Sequence, residues 1–358
     1  MRMKSPAKPE AGTAAGEKTP RARRLTPPAA LPGGEVRVEG IVLHPGRLPE
    51  VRFGGLPGSI VMSGAEFLLA RVPEGALSGA VQVLDGGESA SGNSLYLDVA
   101  LPIADNLHPV GNPALDPEGN IYVTFSGGRG QKVPVSLYQL DSSYNLKPLG
   151  AAIVSPTGLA FDHAGQLYAS SRHDGIVYRV DRSGEAAVHA EGLGIATGLA
   201  FDRDDNLYVG DRSGTIFKID AKRNIFVYAT LEPSVAAYHL AFSPGGDLYV
   251  SGPTTSSYDP VYCISPKGAV EIFYRGLGRP QGLAFDAGGN LYVAASLRGR
   301  RGLVRISPER EAELVLSGQN LVGLAFARGP ALILATHSGL YFLPWQHAGL
   351  PLPPPAAA

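Results

Sequence analysis

The sequence predicts an all-β protein, a six-bladed β-propeller preceded by a small β-sandwich. Three observations carry this. First, a strand–turn–strand phrase recurs about every forty residues, the mark of a repeat architecture. It reads PTGLAFDHAGQLYAS from Pro156, ATGLAFDRDDNLYVG from Ala196, AYHLAFSPGGDLYVS from Ala237 and PQGLAFDAGGNLYVA from Pro280. A degenerate first copy starts at Val110 and an eroded last copy at Leu321. Second, each period has room for four antiparallel strands, which is one blade. Third, ahead of the repeats come short strands between glycine-rich turns, a sandwich texture.

Residues 1–33 are dominated by Ala, Pro, Lys and Arg, with no apolar central run. We expect a disordered basic tail there, not a secretory signal. Residues 34–98 form the sandwich, with strands expected at Glu35–Gly40, Glu50–Phe53, Ser59–Met62, Glu66–Val72, Gly79–Leu84 and Ser94–Asp98. The proline-rich Leu25–Leu31 shows little strand character.

Residues 99–346 form the propeller. In the copy at Ala196, Leu199-Ala200-Phe201 is a short apolar run suited to a strand buried on both faces. The turn Asp202–Asn206 is rich in residues that bond to their own backbone. Alternating, β-prone segments follow at Asn206–Val209, Gly214–Asp220 and Ile225–Ala229. The last copy is short, with strands near Val322–Ala327, Ala331–Thr336 and Gly339–Leu343. Its outer strand is expected from the stretch around Leu95–Ile103, which ties the chain ends together and leaves no dangling edge. Residues 347–358 are read as a proline-rich tail too short to count as a binding motif.

The chain has 358 residues, with 31 Lys and Arg against 32 Asp and Glu. A net charge of −1 argues against bulk attraction to nucleic acid or a membrane surface. No stretch approaches the roughly 18 apolar residues that span a bilayer. We expect a cytoplasmic monomer. The single cysteine, Cys263, excludes an internal disulfide and a cysteine-based metal site, and its alternating strand makes it a small buried residue.

Two family resemblances follow from these phrases. GGEVRVEG (33–40), PEVRFGG (49–55) and ARVPEGALSGAVQVLDGG (70–87) come in the order of the IPT/TIG family of immunoglobulin-like domains. That resemblance implies a domain that positions or binds partners. The repeated P-x-G-L-A-F-D-x-x-G-N-L-Y-V-A resembles the NHL repeat and the SMP-30/gluconolactonase-like six-bladed propellers. The resemblance implies a binding platform for proteins, RNA or other ligands, as NHL propellers mostly are, with a few relatives being enzymes, including metal-dependent lactonases and amidating lyases.

The lactonase reading is testable residue by residue. The resemblance would place metal-binding Asn and Asp just before the glycine of each innermost strand, with an early Glu in a G-E-[GS]-P-x-W phrase. Here those positions hold Gly111, Thr157, Thr197, Tyr238, Gln281 and Val322. None is a carboxylate, the Glu-Gly-Pro-Trp phrase is missing, and a hard cation wants such oxygens. We therefore expect no cofactor. A divalent metal such as calcium or zinc enters only under the alternative of a lactonase-like hydrolase with a rearranged site.

Other motifs read as structure. Asp202-x-Asp204-x-Asn206 begins like a calcium loop but has Leu207 where glycine belongs and Ser213 where glutamate belongs. The recurring Asp116, Asp162, Asp202 and Asp286 suit side chains bonding to turn amides. The glycine-rich 126–132 stretch lacks Walker spacing. His108, His173, His239 and His337 fall on the same predicted face without metal spacing.

Charges sort by loop class. First-to-second strand loops carry mainly aspartates. Second-to-third strand loops carry Arg129, Lys132, Arg172, Arg212, Arg298, Arg300 and Arg301, with Arg279 on the same side. One-signed surfaces attract the opposite sign, and arginine presents a fork suited to carboxylate or phosphate. The function predicted is a non-enzymatic binding module for a small anionic ligand or a protein segment. Arg172, Arg212 and Arg279 would supply charge, and Thr157, Thr197, Tyr238, His239 and Gln281 would line the channel mouth.

Overall fold

A computed structural model describes residues 24–91, 95–126 and 132–353. Every regular element among them is a strand, and no helix is long and apolar enough to cross a membrane. Arg21 to Arg23, Arg129 and most of the 126–132 loop lie outside the described residues.

Each copy of the repeat is the inner pair of an antiparallel quartet. The quartet of the Ala196 copy runs Ala196–Phe201, Leu207–Asp211, Thr215–Ile219 and Ile225–Thr230. Equivalent quartets begin at Ala114, Pro156, His239 and Leu283. The last comprises Leu321–Phe326, Ala331–Thr336 and Gly339–Pro344, completed by Leu101–Asp105 from far upstream. That donor lies slightly later than expected, because Tyr96–Val99 is held in the sandwich by Gly79–Asp85. Neighbouring quartets share apolar clusters, and the last shares one with the first through Ile333, Val322, Ile121 and Val123.

The repeat encodes this packing. The turn aspartate accepts from the amide four residues on, at 2.8–2.9 Å, in Asp116, Asp162, Asp202 and Asp286. Its second oxygen takes the hydroxyl of the tyrosine six residues on, at 3.1–3.2 Å. The tyrosine at this position, Tyr249 of the Ser243 turn included, stacks edge-on against the phenylalanine of the following copy. The pairs are Tyr122–Phe161, Tyr168–Phe201, Tyr208–Phe242, Tyr249–Phe285 and Tyr292–Phe326, with centroids 4.8–5.3 Å apart. Such geometry adds about 0.5–1.5 kcal/mol per pair beyond area burial. Cys263 is buried in a strand, as its pattern predicts.

The N-terminal strands form two sheets around one core that includes Val36, Val38, Val51, Phe53, Leu68, Val81 and Leu97. Two sequence expectations are corrected here. Arg24–Thr26 pairs with Glu35–Glu39, and Ala29–Ala30 lies between two parallel partners, so the tail does not extend to residue 33. The prolines are tolerated because both segments are very short and flank a turn.

Ala29–Ala30 joins the sandwich to the quartet at Leu283. It pairs with Asp98–Val99 on one side and Leu316–Ser317 on the other. Arg300 is a joint residue too, since its guanidinium donates to the carbonyls of Thr26 at 2.9 Å and Glu35 at 3.1 Å. It therefore does not serve as a free charge of the basic side, which is the second correction.

Candidate functional site

The innermost strand of each quartet has one edge unpaired within its sheet, and these edges surround a cavity of 510 Å³. Leu159, Leu199, Leu240, Leu283 and Leu324 are among the lining residues. This size suits a small-molecule seat.

The end of the cavity nearest the strand starts is filled. A Cβ on Gly111 would stand 3.3 Å from His239 Cε1 and 3.3 Å from the Thr157 carbonyl, so strands from separate quartets meet there. Asn112 ties three quartets together, its Nδ2 donating to the Leu283 carbonyl at 2.8 Å and its Oδ1 accepting from the Leu324 amide at 3.1 Å. Sequence reading missed Asn112. The available signal is that it occupies the position held by glycine in four other copies, Gly158, Gly198, Gly282 and Gly323, and by His239 in the fifth.

His239 stands at this filled end. It is 6% exposed and lines the cavity, and neither ring nitrogen has a hydrogen-bond partner among the described residues. Burial pushes its pKa down to about 4, so the ring is neutral at pH 7, with one donor and one acceptor nitrogen.

The other end lies among the first turns. Asp116 is at this rim, with its oxygens engaged by Asn120 and Tyr122. Arg328 is exposed beside it. The C-terminal segment crosses the same rim, and residues 348–353 form part of the cavity wall. Its seating departs from the sequence expectation of a bare tail. Backbone bonds hold it, from the Ala287 amide to the Ala348 carbonyl at 2.9 Å and from the Leu350 amide to the Phe285 carbonyl at 3.0 Å.

The residues expected at a channel mouth divide. Thr157 and His239 line the cavity. Thr197 is spent inside the fold, donating to the Gly210 carbonyl and accepting from the Tyr238 amide. Tyr238 is 1% exposed, packs in a core cluster and donates its hydroxyl to the Glu232 carbonyl, so burial pushes its phenol pKa far up. Gln281 is half-buried away from the cavity, where its backbone carbonyl accepts from Ser251. These three therefore do not join a mouth. Successive strand residues point to opposite neighbouring quartets, so a place near the strand start does not by itself aim a side chain at the axis.

The arginines divide as well. Arg172 donates to Ser126 Oγ at 3.2 Å, and Arg212 donates to the Ser234 carbonyl at 3.2 Å. Arg279 is exposed, with its own backbone amide tied to Asp259. Among the described residues, no three His, Cys, Asp or Glu side chains gather closely enough to hold a metal.

No protein-family model and no curated protein sequence matches the chain. Solved structures do. A gluconolactonase candidate is 20% identical, with a TM-score of 0.58 over 70% of this chain and 93% of its own. Regucalcin, a calcium-binding protein from Agrobacterium tumefaciens strain C58, is 17% identical, with a TM-score of 0.57 over 72% and 97%. An auxiliary nutrient binding protein from Bacteroides ovatus is 14% identical, with a TM-score of 0.52 over 90% and 98%. At these identities the likeness is one of fold, and the fold is that of the gluconolactonase- and regucalcin-like β-propellers.

Proposed function

We propose that the chain is a non-enzymatic binding module, built as a six-bladed propeller of the NHL and SMP-30/gluconolactonase type behind an IPT/TIG-like sandwich. Its ligand seat is the axial cavity, and its ligand is a small carbonyl- or carboxylate-bearing molecule. The observation that carries this reading is His239, a neutral imidazole with no partner among the described residues, buried at the end of a 510 Å³ cavity. The imidazole lines the cavity, where a ligand carbonyl can accept its N–H. Arg328, exposed at the rim, suits an anionic end.

Ligand binding of this kind agrees with the nutrient-binding neighbour, although fold alone does not assign function. A lactone hydrolase of that type would need Asp and Asn oxygens at the tops of the innermost strands, where Gly111, Thr157, Thr197, Tyr238, Gln281 and Val322 include no carboxylate and only the Gln281 amide.

The test is a thermal-shift screen of small carboxylates and ketones on the wild type, His239→Leu, and a control with Arg172, Arg212 and Arg279 all changed to glutamine. Hits should shift the wild type and the control, and should lose most of the shift in His239→Leu. Hits abolished by the triple glutamine variant would move the seat to the opposite, arginine-rich side. Turnover of a lactone panel with added calcium or zinc would overturn the non-enzymatic reading.

A further inference from the structure

The geometry points to the axial rim as a seat for an extended protein segment, held at present by the chain's own residues 347–353. This rests on the reading of the axial cavity as a binding seat. The innermost strands offer free edges to the axis, and an extended peptide can pair with such an edge through its backbone. The C-terminal segment does so. It makes an antiparallel bridge between Asp286 and Gly349, flanked by the two backbone bonds to Ala287 and Phe285.

The seat also reads side chains. Gly349 lies flush on Phe326, so any Cβ there would overlap the phenylalanine side chain. Leu350 packs against the apolar cluster containing Phe285 and Leu283. Pro351 and Pro353 line the cavity and ask for no backbone donor. The segment covers the turn below it, for Asp286 is 1% exposed whereas the equivalent Asp116, Asp162 and Asp202 are only partly buried. The partner that fits is thus a protein segment with glycine, then leucine, then alternating prolines, entering extended. Such segments lose little entropy on binding because proline pre-sets the backbone.

A tethered occupant acts at an effective concentration in the mM range. An external segment must displace it, so the seat is self-limited until a competitor of higher affinity arrives.

The probe is a fluorescein-labelled peptide of residues 347–353, HAGLPLP, titrated by anisotropy against the full-length chain. Gly349→Val should expel the internal segment, and Leu350→Asp does so independently by placing a carboxylate among apolar side chains. Hydrogen exchange at the backbone amide of position 350, followed in both variants, reports the release. Both released variants should bind the peptide at least about tenfold more tightly than the wild type. A peptide with valine at its third position should bind none of them. Equal binding to wild type and variants, or no binding to variants whose position-350 amide exchanges freely, overturns the inference. So does an amide that stays protected in both variants. If those failures occur while His239-dependent thermal shifts persist, only the peptide seat falls, and loss of both sinks the cavity reading as well.

Discussion

Ile333 and Leu115 belong to one apolar cluster where the last strand quartet meets the first. They occupy the positions that hold tyrosine and phenylalanine in the copies forming the other described junctions. The two most eroded copies of the repeat therefore changed at opposite sides of the same seam. Ala327, at the turn-aspartate position, has no acceptor for a hydroxyl. Ile333→Tyr should overpack this seam and cost about 1–3 kcal/mol. Adding Ala327→Asp supplies an acceptor and should return part of that loss. Urea unfolding of both single variants and the double variant would reveal a coupling of about 0.5 kcal/mol or more, and strict additivity would refute the pairing logic.

Tyr292→Phe keeps the ring against Phe326 but removes the hydroxyl that reaches Asp286 at 3.2 Å. It should destabilise the protein by about 1–2 kcal/mol, measured by urea unfolding. Tyr249→Phe should cost less, because Ser243 replaces the turn aspartate there and no carboxylate at that turn loses a partner. Equal costs would refute a role for the aspartate–tyrosine bond.

His239 makes the fold sensitive to acid. Its folded pKa is about 4 against an ordinary 6.5, so the unfolded chain takes up a proton first. The stability it allows is fully present above pH 6.5 and is lost as pH falls towards 4. The linkage bound is about 3 kcal/mol. The urea midpoint of the wild type should fall between pH 7 and pH 4.5 by more than that of His239→Leu. Parallel curves for the two proteins would exclude His239 as the titrating group.

Arg300→Ala removes two guanidinium bonds to Thr26 and Glu35 across the joint. Bonds to a charged donor contribute about 1.5–3 kcal/mol each, so the sandwich should loosen from the ring. Faster protease cutting within residues 24–35, with the ring intact, is the expected result. Ser317→Ala, which loses the 2.8 Å bond from the Glu35 amide, should give a smaller change in the same direction. Unchanged cutting in both variants would show that the parallel strand Ala29–Ala30 holds the joint unaided.

Local pattern decided much of this protein. The period of the repeat, the aspartates as turn anchors and Cys263 as core all follow from neighbours in sequence, because turn chemistry and strand alternation act over a few residues. The seat did not follow. Thr197, Tyr238 and Gln281 sit near the strand starts where they were expected, yet none of them reaches the cavity. The hydroxyls of Thr197 and Tyr238 are claimed by the Gly210 and Glu232 carbonyls, and Gln281 meets Ser251 through its backbone. Arg300 looked like one more surface charge until the chain returned to place Thr26 beside it. The C-terminal segment holds its place mostly through backbone bonds, which leave no trace in residue identity except the bare Cα that Phe326 demands at Gly349. Contacts between residues far apart in the chain exist only once the sheets have packed, and those contacts settle which polar groups are used up and which, like His239, are left facing the axis.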